Sequence, residues 1–145
     1  MKITPFLWYN NNAEEAASFY VSVFPDSKIL TVTPMIVVFQ LAGQTFQALN
    51  GGPRFQFTEA ISLFVDVDTQ AEVDALWNKL IADGGAPSQC GWLKDKYGLS
   101  WQIIPNTLMK LMSDPDPVKA NRVMQAMLKM SKIDIGLLQA AYDAD

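Results

Sequence analysis

The stretch that decides the fold is AISLFVDVDTQAEVDALWNKLI, residues 60–81. Residues 60–67 are mostly apolar, with β-branched and aromatic side chains, and read as a strand. Thr69 and Glu72 then stand three apart. At that spacing a Thr hydroxyl caps a helix while the Glu reaches back to the cap residue. Val73, Leu76, Trp77, Leu80 and Ile81 follow at spacings of 3, 1, 3 and 1, which is one face of a helix. Gly84-Gly85 supplies a C-cap. Residues 91–94 and 100–104 read as strands joined by the polar turn Asp95-Lys96-Tyr97-Gly98.

Working outward, the first half of the chain carries the same order. Residues 5–9, PFLWY, read as a short buried strand. Asn12, with Glu15 three residues on, is the expected cap of a helix whose apolar face is Ala13, Ala16, Ala17, Tyr20, Val23 and Phe24. Pro25 stops it. Residues 28–32 and 35–41 are β-rich runs on either side of Thr33-Pro34, and Ala42-Gly43 is a hairpin turn into 45–49. Phe19-Tyr20 matches Leu76-Trp77 in its place along the helix, and Val23-Phe24 matches Leu80-Ile81. The expected fold is therefore α+β: one domain, 1–145, made of two βαβββ modules at 1–52 and 58–105 and a helical extension at 106–145.

In that extension Asp116-Pro117 gives an N-cap with proline at the first helical position, opening a helix to about Met130. Five of the seven methionines lie beyond Pro105. Val123, Met124, Met127, Leu128 and Met130 cover more than one narrow stripe, which suits packing on the chain's own sheet and on a partner copy.

Composition excludes several chemistries. The 145 residues hold no histidine and one cysteine, Cys90. That removes Ser-His-Asp and Cys-His triads, His-ligated zinc and histidine acid–base work. A chain of this length buries roughly 70% of its unfolded surface without disulfide or metal. The net charge is −4, and the two arginines, Arg54 and Arg122, are far apart. No basic stripe for nucleic acid is visible. No apolar run approaches the ~18 residues of a membrane span, and no secretory signal opens the chain. The expected address is cytoplasmic.

Several blocks resemble a known family. PFLW at 5–8, AEEAASFY at 13–20, VFP at 23–25, ALNGGP at 48–53, QCGWLKDKYGLSWQ at 89–102 and AMLKM at 126–130 are similar to the PhnB-like branch of the vicinal-oxygen-chelate superfamily. That superfamily includes glyoxalase I, bleomycin-resistance proteins and extradiol dioxygenases. The resemblance implies paired βαβββ modules that curl around a cleft, usually in a homodimer. It also implies four His/Glu-type metal ligands, whose places fall at Pro5, at Gln47 or Ala48, at Ala60 beside Glu59, and at Gln102. None of these is a good ligand for zinc, magnesium or manganese, so no metal and no other cofactor is expected. Relatives also carry a longer glycine-rich loop where only Thr33-Pro34 stands here.

Members of this branch are often labelled 3-demethylubiquinone 3-methyltransferases. The common S-adenosylmethionine fold needs a glycine-rich strand-to-helix turn. Asn50-Gly51-Gly52-Pro53 is the glycine-rich spot that follows a strand, and it reads better as a tight turn linking the modules.

The candidate cleft residues are Trp8, Gln47, Asn50, Cys90, Trp92 and Gln102. Tryptophans stack on planar ligands or fill cores, and glutamines give neutral hydrogen-bonding groups suited to binding. Cys90 is the one candidate nucleophile, with Lys94 and Lys96 near in sequence to lower its pKa; otherwise it is a small apolar wall residue. Asp66 and Asp68 suit solvent or capping duty. The expected function is binding of a small, partly aromatic molecule in a metal-free cleft. A divergent enzyme and a dimeric scaffold without ligand are the alternatives.

Overall fold

Alternation of apolar and polar residues sets out the sheets of the computed structural model, which describes residues 1–144. They form two compact units, Met1–Phe57 and a second from Thr58 on. The first contains β1 (Phe6–Tyr9), α1 (Ala13–Val23), β2 (Lys28–Val32), β3 (Ile36–Leu41) and β4 (Gln44–Asn50). The second contains β5 (Ser62–Val67), α2 (Gln70–Ile81), β6 (Ala86–Pro87), β7 (Trp92–Lys94), β8 (Ser100–Pro105), α3 (Asn106–Met112), α4 (Pro117–Leu128) and α5 (Ile135–Asp143). The two sheets have the same order, β1-β4-β3-β2 and β5-β8-β7-β6. In each, the first strand runs parallel to the last and the other neighbours are antiparallel. The βαβββ repeat read from the sequence is therefore present in both units.

In the first unit α1 buries Ala13, Ala16, Ala17, Tyr20 and Val23. Three alanines let the helix lie close to the sheet, where Leu7, Val37, Phe39 and Ala48 are buried. The Tyr20 ring stacks on Phe39 at 6.3 Å, Phe39 stacks on Phe46 at 5.5 Å, and the Tyr9 and Tyr20 hydroxyls are 3.0 Å apart. Each such large side chain contributes about 1.5–3 kcal/mol on burial. The hairpin at Ala42-Gly43 has φ of +47° and +85°, the left-handed pair of a type I′ turn. Thr33 closes the β2–β3 connection, its N–H donating to the Ile36 carbonyl at 2.9 Å.

In the second unit α2 buries Val73, Trp77 and Leu80, on the sheet side where Leu93, Trp101 and Ile103 are buried. Its N-terminus is the expected capping box of Thr69 and Glu72. The Asp95 carboxylate is buried and accepts from the N–H groups of Tyr97 and Leu99 and from Trp101 Nε1, at 2.8, 3.1 and 2.9 Å. One carboxylate thus fixes the β7–β8 turn.

Four local expectations need correction. Asn12 makes no side-chain cap bond; the N–H of Ala13 donates instead to Asn50 Oδ1 at 2.9 Å. Helix α2 ends at Ile81, before Gly84-Gly85, in a 3₁₀ turn where Asp83 takes φ +57°. The second module has a further short strand, β6, that its two residues were too few to announce. Gly91 belongs to a turn rather than to β7, with φ +86° after Cys90 at +59°.

The extension folds on the second unit. Ile104, Leu108, Val123, Met130, Ile133 and Leu138 form its small core, with Met112 and Met127 packed against it. Asp116 caps α4 as expected, its Oδ1 accepting from Val118 N at 2.9 Å. Backbone bonds from Cys90 to Met130 and from Gly91 to Ser131, both 2.8 Å, stitch the tail to the β6–β7 turn. Gln70 of α2 grips the same segment, donating to the Ile133 carbonyl at 3.0 Å and accepting from Ile135 N at 2.8 Å.

Candidate functional site

Each sheet has a helix on one face, and cross-strand partners share a face. In the first unit the register sets Phe6, Gln47 and Val38 in one row, then Trp8, Leu49 and Ile36 in the next, on the face away from α1. Phe6 is exposed and the other five are half-buried. Trp8 Nε1 donates to the Gly52 carbonyl at 2.9 Å, and Phe55 meets the Trp8 ring edge-on at 4.9 Å.

The glycine run beside it is closed. A Cβ on Gly51 would stand 2.4 Å from the Trp8 ring. The N–H groups of Gly51 and Gly52 already donate to the carbonyls of Tyr9 and Asn10, at 2.8 and 2.9 Å. No donors are left there to cradle a phosphate. Asn50 is equally committed, since its Nδ2 donates to the Pro34 carbonyl at 3.1 Å while its Oδ1 caps α1.

In the second unit the face away from α2 carries Ser62, Ser100 and Lys94 in one row and Phe64, Gln102 and Trp92 in the next. Gln102 Nε2 donates to Ser62 Oγ at 2.9 Å. The Lys94 ammonium pairs with the Glu59 carboxylate. Hydrogen bonding to Lys94, first among the causes, holds the Glu59 carboxyl below the usual range. Trp101, by contrast, is buried on the α2 side and bonded to Asp95. Cys90 is half-buried in the turn before β7, in left-handed backbone, and the ammonium nearest it in the sequence already has a carboxylate partner.

Of the candidate residues, the first face brings together Trp8 and Gln47, and the second brings together Trp92 and Gln102. Asn50 ends β4 with its amide bonded at both ends, and Cys90 lies off the rows. Phe6, Ser62, Phe64, Ser100 and the Glu59–Lys94 pair were not picked out from the sequence. Alternation along β5 puts Ser62 and Phe64 on one face, but only the strand register sets them beside Gln102.

The superfamily's metal does not fit these residues. Pro5 offers only a carbonyl, which accepts from Gln47 N at 3.0 Å, and Ala48 is fully buried. Gln47 and Gln102 are neutral amides, and Glu59, paired with Lys94, is a single carboxylate. Among the described residues no group of three or more His, Cys, Asp or Glu stands together. Hard cations want several charged oxygens and zinc wants nitrogen or sulfur, so this donor set suits neither.

The family described as 3-demethylubiquinone-9 3-methyltransferase matches residues 1–104. The chain belongs to this family. A PhnB protein from Bacillus cereus that carries the same methyltransferase description is 35% identical, with a TM-score of 0.67 over 72% of this chain and 99% of that one. Protein PA1353 from Pseudomonas aeruginosa is 20% identical, with a TM-score of 0.62 over 72% and 97%. A glyoxalase/bleomycin resistance protein/dioxygenase family enzyme from Burkholderia phytofirmans is 16% identical, with a TM-score of 0.55 over 69% and 95%. The last two show the fold alone, and it is the glyoxalase/bleomycin-resistance fold. Comparison with curated proteins gives no match. In this PhnB-like chain the family match stops at residue 104, one short of the end of β8, so α3, α4 and α5 lie outside it.

Proposed function

We propose that this PhnB-like protein binds a small, partly aromatic molecule on the open faces of its sheets, without a metal ion. One observation carries the reading: on each sheet, the face away from the helix that follows its first strand presents aromatic rings around a glutamine. Phe6, Trp8 and Gln47 do so in the first unit, and Phe64, Trp92 and Gln102 in the second. Rings supply apolar contact area and an amide can donate and accept, which is the composition of a small-molecule site rather than of an acid–base centre. Methyl transfer is not part of the reading, because the glycine run after β4 is filled by Trp8 and its N–H groups are bonded to backbone. The same reading places the protein in the cytoplasm, as a homodimer joined through the tail, where Met109, Leu128 and Leu137 are exposed. Among the described residues no helix is long and apolar enough to cross a membrane.

Saturation-transfer NMR against a panel of planar compounds bearing hydrogen-bond acceptors tests the binding. Signals are expected for some of them, and Trp92→Ala and Gln102→Ala each weaken binding about fivefold or more, as loss of one contact of about 1 kcal/mol implies. A panel with no binders, or binders indifferent to both variants and to Trp8→Ala, overturns the reading.

A further inference from the structure

The polar row of the second sheet has two features that simple binding of an aromatic ring does not use. Lys94 is the cation of this face, and its partner Glu59 comes from the segment between β4 and β5, outside both rows. Their side chains are 41% and 63% exposed, so the pair is open to solvent and exchangeable. Between Lys94 and Ser62 in the register stands Ser100, only 1% exposed, whose hydroxyl has no hydrogen-bond partner among the described residues. A buried hydroxyl left unbonded costs about 1–3 kcal/mol, and such groups are scarce in folded proteins. A donor without an acceptor and a cation holding a displaceable carboxylate thus lie side by side. The neighbouring row adds the Phe64 and Trp92 rings around Gln102.

We propose that this corner is an acid subsite. The carboxylate of a small aromatic acid replaces Glu59 on Lys94 and accepts a hydrogen bond from Ser100, while its ring lies along Phe64 and Trp92. One cation matches a monoanion, and Glu59 already shows that a carboxylate is accepted at that position. Asp66 lies on the same face but four strand positions from Ser62, about 13 Å away, and repels the acid only weakly. Glu59 is then an internal competitor that lowers affinity until an acid is present. The proposal rests on the binding reading above and narrows it to a ligand class.

Calorimetric titration at low salt with 1-naphthoate and with neutral 1-naphthamide tests it. The acid is expected to bind about five- to tenfold more tightly than the amide. Glu59→Gln raises affinity for the acid about threefold or more and leaves the amide unchanged, and Lys94→Met abolishes the preference. Equal binding of the two compounds, or weaker binding of the acid to Glu59→Gln, overturns the acid subsite and leaves the binding function standing. If neither compound binds either the parent protein or Glu59→Gln, the acid subsite falls, while the binding reading stands or falls with the wider panel.

Discussion

Asn50 reaches from the end of β4 to the first turn of α1, where its Oδ1 takes the N–H of Ala13 at 2.9 Å, and its Nδ2 bonds the Pro34 carbonyl at 3.1 Å. It ties the helix start, the β2–β3 connection and the last strand of the first unit to one amide. Asn50→Ala is expected to cost about 1–2 kcal/mol, while Asn12→Ala, which removes no cap bond, stays within about 0.5 kcal/mol. Denaturant unfolding of both variants checks the pair, and a larger loss from Asn12→Ala contradicts the assignment. This is also where local sequence reading reaches its limit. The spacing of Thr69 and Glu72 announces a capping box because both partners sit within one turn. A cap supplied 37 residues away leaves no local pattern. The pairing of Lys94 with Glu59 escaped notice for the same reason, since it depends on register and on an irregular segment rather than on periodicity.

Among the elements, α5 is held by a clamp at its C-terminal end. The Tyr142 hydroxyl donates to Asp114 Oδ2 at 2.6 Å, Lys119 lies 5.0 Å from the centre of the Tyr142 ring, and Arg122 bonds the carbonyls of Ala141 and Tyr142, each at 2.9 Å. The bond from Tyr142 is the main cause that lowers the Asp114 carboxyl pKa, and the bond to Asp114 is the main cause that raises the Tyr142 phenol pKa. A lowered acid contributes stability above the ordinary carboxyl value, roughly 4, and the contribution is lost as pH falls through the lowered value. A raised phenol contributes below roughly 10, and that contribution is lost as pH rises through the raised value. The clamp therefore acts most strongly between those limits. Tyr142→Phe is expected to lower the guanidinium midpoint by a constant amount from about pH 5 to pH 9, with the difference shrinking outside that window. A difference independent of pH throughout removes the clamp from the account. The start and the buried face of helix α2 were legible from its capping box and stripe, though its end was not, whereas α5 was foreseen only as part of a helical tail and β6 not at all. Two residues of strand carry no alternation to read.

For the whole molecule, the duplicated strand–helix–three-strand order was visible because the two helices carry apolar pairs at matching places, Phe19-Tyr20 with Leu76-Trp77 and Val23-Phe24 with Leu80-Ile81. Trp8, Gln47, Trp92 and Gln102 were picked out, but the full rows they stand in were not visible, because rows are set by pairing between distant strands. The extension is built around its own small core, with Met130 buried and Met112 and Met127 packed beside it, so only part of its apolar surface is left for another copy. Light scattering at micromolar concentration is expected to give the mass of a dimer, and the double change Leu128→Glu with Leu137→Glu to give that of a monomer. A monomeric parent protein contradicts the dimer.

The parallel pairing of the first strand with the last also has a consequence in time. Phe6 finds its partner only at Gln47, 41 residues on, and Ser62 only at Ser100, 38 residues on. At synthesis rates of about 5–20 residues per second, the aromatic β1 waits roughly 2–8 s after leaving the ribosome before β4 can follow. Each module is thus born with its opening strand unpaired and is sealed only by its final one. A chain stalled before β4 would expose Phe6, Leu7 and Trp8 together, a segment for a chaperone to hold.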